Sequence, residues 1–395
     1  MVARYRSVLS VPGCARVLTT ALVARLPQGM TSLGILLLIR SHTGSYTAAG
    51  IAVGAYDFAT AAGAPLVGRL VDRFGRRRVL GPGAVLQTLV LVALVLAAHA
   101  GAGAAPLVVL SALAGGLWPP IAPSVRALLR ELVPDAKVRE TAYALESVVQ
   151  ELVWITGPLV VAGVIAFASP ATAVLISGVV SVCGTLLFVS SPAALGRGSR
   201  GARHGRAPVL AIPELRTMLG PIFLSGLAIG AIGVGLPALA LHAGSRPESG
   251  LLLALWSVGS ITGGLWYGSR EWHAPLTARY RALLWTGVIC MAPLIAARTV
   301  PEGLVGAVLA GLVIAPAFSC QYALVGRAVS AGVETEAFTW VSSALVGGLA
   351  AGSALGGGAV SAAGVGAPFV LAVMAMGLAA TSALRMPAGA EQPAG

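Results

Sequence analysis

Five polar side chains lie within apolar stretches of the sequence, where ionisable groups are costly and are therefore candidates for function. Arg25 lies in ARLPQGM near the middle of the first long apolar run, and Asp57 lies in GAYDFAT near the middle of the second. Glu146, Gln150 and Glu151 lie together in the fifth run. Carboxylates and an arginine at comparable depth would suit chemistry in which a proton or another ion is handled.

Two interpretations of these side chains stay open. On a helix Glu146 and Gln150 share a face, whereas Glu151 points about 140° away from Glu146. One carboxylate among Asp57, Glu146 and Glu151 could take up and release a proton in exchange for a substrate. Alternatively, Arg25 and a carboxylate could form a permanent ion pair that fixes the packing of the helices.

Three further side chains could line a cavity between helices. They are Trp118 in the fourth apolar run, and Gln321 and Tyr322 in the tenth. For Trp118, packing against lipid or against the protein core is the alternative interpretation.

The elements that hold these side chains are predicted by composition. Charged residues make up 10% of the 395-residue chain, against about 25% in ordinary globular proteins, and the mean hydropathy is +0.88. Apolar runs of about 20 residues are long enough to cross a bilayer as helices. The sequence predicts an all-α polytopic membrane protein with twelve transmembrane helices, at approximately 13–39, 46–70, 79–99, 104–130, 139–167, 171–191, 215–242, 249–269, 280–299, 302–327, 336–360 and 364–385.

The basic residues predict the orientation of these helices. The net charge of +12 would suggest a nucleic-acid partner in a soluble chain, but the basic residues lie in short loops between the runs, which excludes that partner. Twenty-two lysines and arginines fall on one side of the predicted membrane, and only Arg40, Arg246 and Arg298 fall on the other. The positive-inside rule therefore predicts a multi-pass protein of the cell (plasma) membrane with both termini cytoplasmic.

The chain divides into two similar halves. The Gly-, Ser- and Arg-rich stretch at 196–208 is typical of a flexible linker. LAGGLWPP, which begins at Leu113, resembles LAGLVIAP, which begins at Leu309, and a second pair of segments aligns at nearly the same offset. We therefore predict a six-helix half at 1–195, a basic cytoplasmic linker at 196–213 and a second six-helix half at 214–395. Such repeats are common in transporters, with the substrate site between the halves.

The loop after the second run, GRLVDRFGRRR, resembles the loop signature of the major facilitator superfamily. The residues that match the signature are Gly68, Leu70, Asp72, Arg73, Gly75, Arg76 and Arg77. The resemblance implies a transporter of twelve helices that works by alternating access, through rocking of its two halves.

The resemblance also implies a conformational latch at this loop. Asp72 would meet the N-terminus of the eleventh helix, where the helix dipole is positive, and Arg126 or Arg130 of the fourth helix would complete the cluster. The latch would hold the outward-facing state and separate when the protein opens. Arg69 and Arg78 are expected only to orient the loop.

The fifth run contains TGPLVVAG, which is similar to a fragment of the fifth-helix signature of drug/proton antiporters in this superfamily. Gly157 and Pro158 match, but other glycines of that signature and an arginine near the middle of the fourth helix do not. A Gly-Pro kink that serves helix packing is the alternative.

The leading functional hypothesis is proton-coupled export of small amphipathic or toxic compounds. A carrier of a sugar or another metabolite, and a non-transporting receptor or scaffold on a transporter fold, are the alternatives. The chain shows no catalytic triad, metal-binding spacing or nucleotide motif, so we expect no enzyme activity and no cofactor, with a proton gradient as the energy source. The expected partners are a small-molecule substrate and membrane lipid, and we expect a monomer.

Overall fold

A computed structural model describes residues 2–191, 209–243, 248–330 and 332–386. The linker stretch at 196–208 and Arg246 lie outside the described residues. Over the described ranges, regular secondary structure is helical and includes no strand.

The helices follow the apolar runs closely. The first half contains α1 (Val2–Ser10), α2 (Cys14–Thr43), α3 (Tyr46–Phe74), α4 (Arg76–His99), α5 (Ala104–Gly116), α6 (Ile121–Leu132), α7 (Ala136–Phe167) and α8 (Pro170–Val189). The second half contains α9 (Pro213–His242), α10 (Glu248–Gly268), α11 (Leu276–Met291), α12 (Pro293–Ala296), α13 (Val300–Gly311), α14 (Ile314–Ala328), α15 (Glu334–Ala363) and α16 (Ala367–Ser382). Short 3₁₀ turns precede α9, at Val209–Ala211, and follow α16, at Ala383–Arg385.

The two halves pack their helices in equivalent ways. In the first half α2 packs against α7 and α8, and in the second half the equivalent helix α9 packs against α15 and α16. In the same way, α3 packs against α5 and α10 against α13. The architecture is therefore two six-helix halves in one all-α membrane fold.

Eleven segments within the described residues are long and apolar enough to cross a membrane. The predicted ninth span, 280–299, is divided, because α11 ends at Met291 and Pro293 begins the short α12. A proline has no backbone N–H and cannot continue the hydrogen bonding of the preceding helix. α11 has 16 residues and α12 has 4, and neither is long enough by itself to cross a bilayer as a helix. The ninth predicted span is therefore the one that is missing from the eleven segments.

The fourth span is also divided, although both pieces together are long enough to cross. α5 ends at Gly116, and the consecutive prolines Pro119 and Pro120 separate it from α6. Trp118 lies in this break.

The two halves contact each other at the end of the bundle that contains α1, the turn at Gly75 and the first residues of α7 and α15. We call this the arginine-rich end. Gly75 has a φ of 88°, a conformation that favours glycine and lets α3 pass into α4 within one residue.

Candidate functional site

A buried cluster of charged side chains lies between α2, α6 and α7. Arg25 and Arg126 both reach the same oxygen of Glu146: Arg25 Nη2 lies 2.9 Å and Arg126 Nε 3.2 Å from Glu146 Oε1. Arg25 also donates to Gln150 Oε1, and Gln150 donates to Gln28 Oε1 at 3.4 Å. We call Arg25, Arg126, Glu146 and Gln150 the arginine cluster.

The cluster is closed by residues of the second half. Arg126 Nη1 donates to Ser342 Oγ of α15 at 3.3 Å. Its guanidinium also lies over the ring of Tyr322 in α14, with Cζ 3.7 Å from the ring centroid. Such a cation–π contact is strongest where water is excluded. The cluster therefore joins the first half to the second within the membrane-spanning helices.

The elements bring Arg25 to this position through a close crossing of α2 and α7. A Cβ atom at Gly157 would lie 2.5 Å from Gly29 Cα, so the two backbones approach at a distance that only glycine allows. α7 continues as one helix through Gly157 and Pro158. Gly157 thus serves a helix contact, and the kink predicted at these residues stays a prediction.

The cluster distinguishes among the three candidate carboxylates. The sequence left open which of them pairs with Arg25, and in the structure that partner is Glu146. Asp57 instead accepts a hydrogen bond from Ser32 at 2.9 Å. Glu151 accepts one from Ser260 of α10 at 2.9 Å. Neither carboxylate forms an ion pair with any described residue.

The three candidate cavity residues lie in different places. Tyr322 belongs to the cluster's boundary, as described. Gln321 faces into the second half, where it lines a small cavity with Ser225 and Tyr280. Trp118 is half-buried against the hydrophobic core of the first half, in agreement with the packing interpretation.

Asp72 lies at the arginine-rich end, against the N-terminus of α15. It accepts hydrogen bonds from the backbone N–H groups of Thr335 at 3.2 Å and Glu336 at 2.9 Å. These are first-turn N–H groups that have no partner within their own helix. A Cβ atom at Gly68 would lie 2.6 Å from Thr339 Oγ1, so α3 and α15 are in close contact here.

Two arginines near Asp72 pair with acidic residues of the second half, one of them as predicted. Arg69, expected only to orient the loop, forms two hydrogen bonds with Glu336 of the second half, at 2.7 and 3.1 Å. Arg130 pairs with Glu334 at 2.9 Å, so it does join this interface.

Other arginines of the loop signature stay within the first half. Arg76 pairs with Glu131 of α6, and Arg73 lies over the ring of the neighbouring Phe74. Arg73 and Arg77 are exposed, as is Arg78. Arg126 lies in the arginine cluster rather than beside Asp72.

A second set of contacts, which the sequence analysis did not single out, is centred on Glu140 of α7. Its two carboxylate oxygens accept from Arg279 of α11 and Arg327 of α14, each at 2.9 Å. The loop after α10 lacks an aspartate equivalent to Asp72, and here the first half supplies the carboxylate. Acidic residues are rare in this chain, so the placement of Glu140 at the start of the fifth run was the available signal.

The short helix α1 adds a third connection at the same end. Tyr5 Oη donates to the carbonyl of Leu265 at 2.7 Å, and Arg4 donates to the carbonyl of Arg270 and pairs with Glu271. Burial raises the pKa of Tyr5 to about 12. The hydrogen bond and charge of Arg4 lower the pKa of Glu271. α1 therefore connects the first half to the loop that follows α10.

The described residues contain no group of three or more His, Cys, Asp or Glu side chains placed to hold a metal ion. The candidate site consists of charged and hydrogen-bonding side chains that lie between the two halves.

Comparisons with known proteins agree with this architecture. A family model described as Major Facilitator Superfamily matches residues 17–269. The chain is 28% identical, over 298 residues and 72% of each protein, to the uncharacterized MFS-type transporter y4rN of Sinorhizobium fredii (strain NBRC 101917 / NGR234).

Two solved structures share the fold across nearly the whole chain. The human organic anion transporter MFSD10 (TETRAN) superimposes with a TM-score of 0.73 at 18% identity, over 94% of this chain and 99% of that one. A bacterial homologue of the iron transporter ferroportin, in an outward-facing state, superimposes with a TM-score of 0.79 at 15% identity, over 94% and 98%.

Proposed function

The chain belongs to the Major Facilitator Superfamily, and from this premise we propose that it is a proton-coupled secondary transporter that exports a small molecule by alternating access. The arginine-rich end faces the cytoplasm in this proposal, as the distribution of basic residues suggests. The protein acts as a monomer in the cell membrane, with its substrate path between its own two halves.

The observation that carries the proposal is the hydrogen bond between Glu151 and Ser260. Glu151 belongs to the first half and Ser260 to the second, and the contact lies well within the membrane-spanning parts of α7 and α10. An ionised carboxylate only accepts hydrogen bonds, whereas a protonated one can donate. A change of protonation at Glu151 therefore changes a contact between the two halves.

Glu146 differs from Glu151 and Asp57 in having charged partners. Two guanidinium groups lie within 3.2 Å of one of its oxygens, and their positive charges attract the carboxylate. Glu146 thus acts as a fixed counter-charge. Glu151 and Asp57 accept only hydroxyl hydrogen bonds among the described side chains, and this leaves them free to carry the proton.

The transport cycle follows from these contacts. With the arginine-rich end closed by Asp72, Glu336 and Glu140, the path is open to the opposite side, where a proton reaches Asp57 and Glu151. Protonation weakens the hold of Glu151 on Ser260, and the halves rock until the arginine-rich end opens. The proton then leaves to the cytoplasm, and a substrate enters from the cytoplasm. When the halves rock back, the substrate is carried to the opposite side of the membrane.

The solved relatives support alternating access without choosing a substrate. One is an organic anion transporter and the other a bacterial homologue of an iron transporter. The outward-facing state of the second relative agrees with a chain whose halves meet at the arginine-rich end.

Proton movement in proteoliposomes tests the proposal. With a pH-sensitive dye inside the vesicles and candidate compounds added in turn, we expect substrate-dependent proton flux in the wild type. Glu151→Gln should abolish that flux, and Asp57→Asn should reduce it, while Glu214→Gln, an exposed carboxylate at the start of α9, should leave it unchanged. Substrate transport with no proton flux in any variant would refute coupling and indicate a uniporter.

A further inference from the structure

The arginine cluster carries a surplus of positive charge. Arg25 and Arg126 are 1% and 4% exposed, and the single carboxylate they share, on Glu146, is fully buried. Two guanidinium groups and one carboxylate leave one positive charge without a counter-charge in the cluster. A buried ion without a counter-charge is costly, and a neutral hydrogen-bond acceptor offsets that cost only in part.

Part of the hydrogen-bonding capacity of Arg25 is also unused. Its Nε and Nη1 atoms are buried and have no partner in the protein, although Nη2 bonds both Glu146 and Gln150. A guanidinium presents its N–H groups in a planar fork that matches the two oxygens of a carboxylate. The free atoms belong to the side chain that lies at the centre of the charge surplus.

The surplus lies where the two halves separate. Arg126 reaches the second half through Ser342 and the ring of Tyr322, and both contacts must break when α14 and α15 move away from α6. Opening of the arginine-rich end therefore removes two partners from Arg126, while Arg25 already has unpaired N–H groups in the closed state.

We propose that the arginine cluster binds the negatively charged group of the transported molecule, so that the substrate is a carboxylate-bearing organic anion. The inference rests on the proposed transport function and adds the charge class of its cargo. The carboxylate would pair with Arg25 and, once the halves part, with Arg126, while Glu146 keeps the two guanidinium groups at a fixed separation. A single substrate carboxylate would make the cluster electrically neutral.

The test is an equilibrium measurement on the purified full-length protein, without a proton gradient. Benzoate, cinnamate and 1-naphthoate are each compared with the neutral amide of the same ring system, and with sodium chloride at the same ionic strength. Binding is followed as ligand-dependent thermal stabilisation, which rises with ligand concentration relative to Kd. We expect at least one carboxylate, and none of the amides, to stabilise the wild type.

Substitutions then assign the binding to the cluster. Arg25→Gln should weaken carboxylate binding by about tenfold or more, since a charge-assisted hydrogen bond is lost. Glu146→Gln should strengthen it, because glutamine keeps an acceptor oxygen between the two guanidinium groups but removes the competing negative charge. This opposite effect cannot come from misfolding. The control Arg216→Gln removes an exposed arginine on α9 and should change nothing.

Several outcomes would overturn the proposal. They are equal stabilisation by carboxylates and amides, stabilisation by chloride alone, undiminished binding in Arg25→Gln, and weaker binding in Glu146→Gln. Carboxylate binding without proton flux in vesicles would refute the coupling while leaving the anion site in place. Proton flux driven by neutral compounds, with no carboxylate binding, would refute the anion site while leaving the proton coupling in place.

Discussion

Asp72 offers the sharpest test of how the arginine-rich end is held closed. In Asp72→Asn the side chain keeps its shape and one acceptor oxygen, but it loses its negative charge at the N-terminus of α15. Because the hydrogen bonds to Thr335 and Glu336 cross between the halves, only the closed state loses stability. The substitution should therefore shift the protein towards the state that is open at the arginine-rich end.

The magnitude follows from the geometry of the contact. A carboxylate near a helix N-terminus contributes about 0.3–1 kcal/mol at an exposed site and up to about 2 kcal/mol in a partly buried one. Asp72 is half-buried and bonds two N–H groups, which places it in the upper part of that range. We expect Asp72→Asn to cost the closed state about 1–2 kcal/mol, a change of about 5–30-fold in the ratio of closed to open molecules.

Pulsed electron spin resonance between labels on the two halves measures this ratio. Exposed positions Arg16 in α2 and Ser330 after α14 serve as label sites, with the four native cysteines replaced by alanine. The open population should show a longer distance between the labels. Arg78→Gln is the matched control, since Arg78 is exposed in the first turn of α4 and makes no described contact with the second half. If Asp72→Asn gives the same distance distribution as Arg78→Gln, the reasoning about the latch is refuted.

Three further predictions concern the same interfaces. Gly68→Ala should also favour the open state, because its Cβ would overlap α15. A Cβ at Gly54, on the same helix, would meet nothing within 4 Å. Gly54→Ala should therefore leave the same distance measurement unchanged. Gly157→Ala should destabilise the protein by about 1–3 kcal/mol through overpacking, measured by thermal unfolding in detergent, while Gly163→Ala, with open space around it, should not. The ion pair between Glu271 and Arg4 of α1 lowers the pKa of Glu271 in the closed state. This ion pair should be present at neutral pH and lost as the pH falls through that lowered pKa. Distance measurements across a pH series should therefore show opening in acid, and this opening should be weaker in Glu271→Gln.

Much of the membrane fold could be predicted from the sequence, because long apolar runs have few alternatives to transmembrane helices. The division of the ninth span was missed even though Pro293 was visible, since prolines inside other helices, such as Pro158, do not interrupt them. Whether a proline ends a helix depends on how neighbouring helices satisfy the freed backbone groups, which a single sequence does not contain.

The candidate site was predicted in its residues but not in its pairings. Arg25 and Glu146 were both identified, yet their contact depends on the crossing of α2 and α7, and depth alone did not distinguish Glu146 from Asp57 or Glu151. For Arg69 a signal did exist, because it lies three residues before Asp72 and therefore on the same helix face. Hydroxyl partners such as Ser260 gave no signal, since serines are common in membrane helices.

The contact between α1 and the loop after α10 also has a consequence for how the chain is made. Tyr5 and Leu265 are separated by 260 residues, so the ribosome must translate through the eighth span before this hydrogen bond can form. At about 5–20 residues per second, the N-terminal helix spends roughly 13–50 seconds at the membrane surface without its partner. During that time its apolar side chains are available to lipid or to the insertion machinery, and closure of the arginine-rich end is one of the last events of assembly.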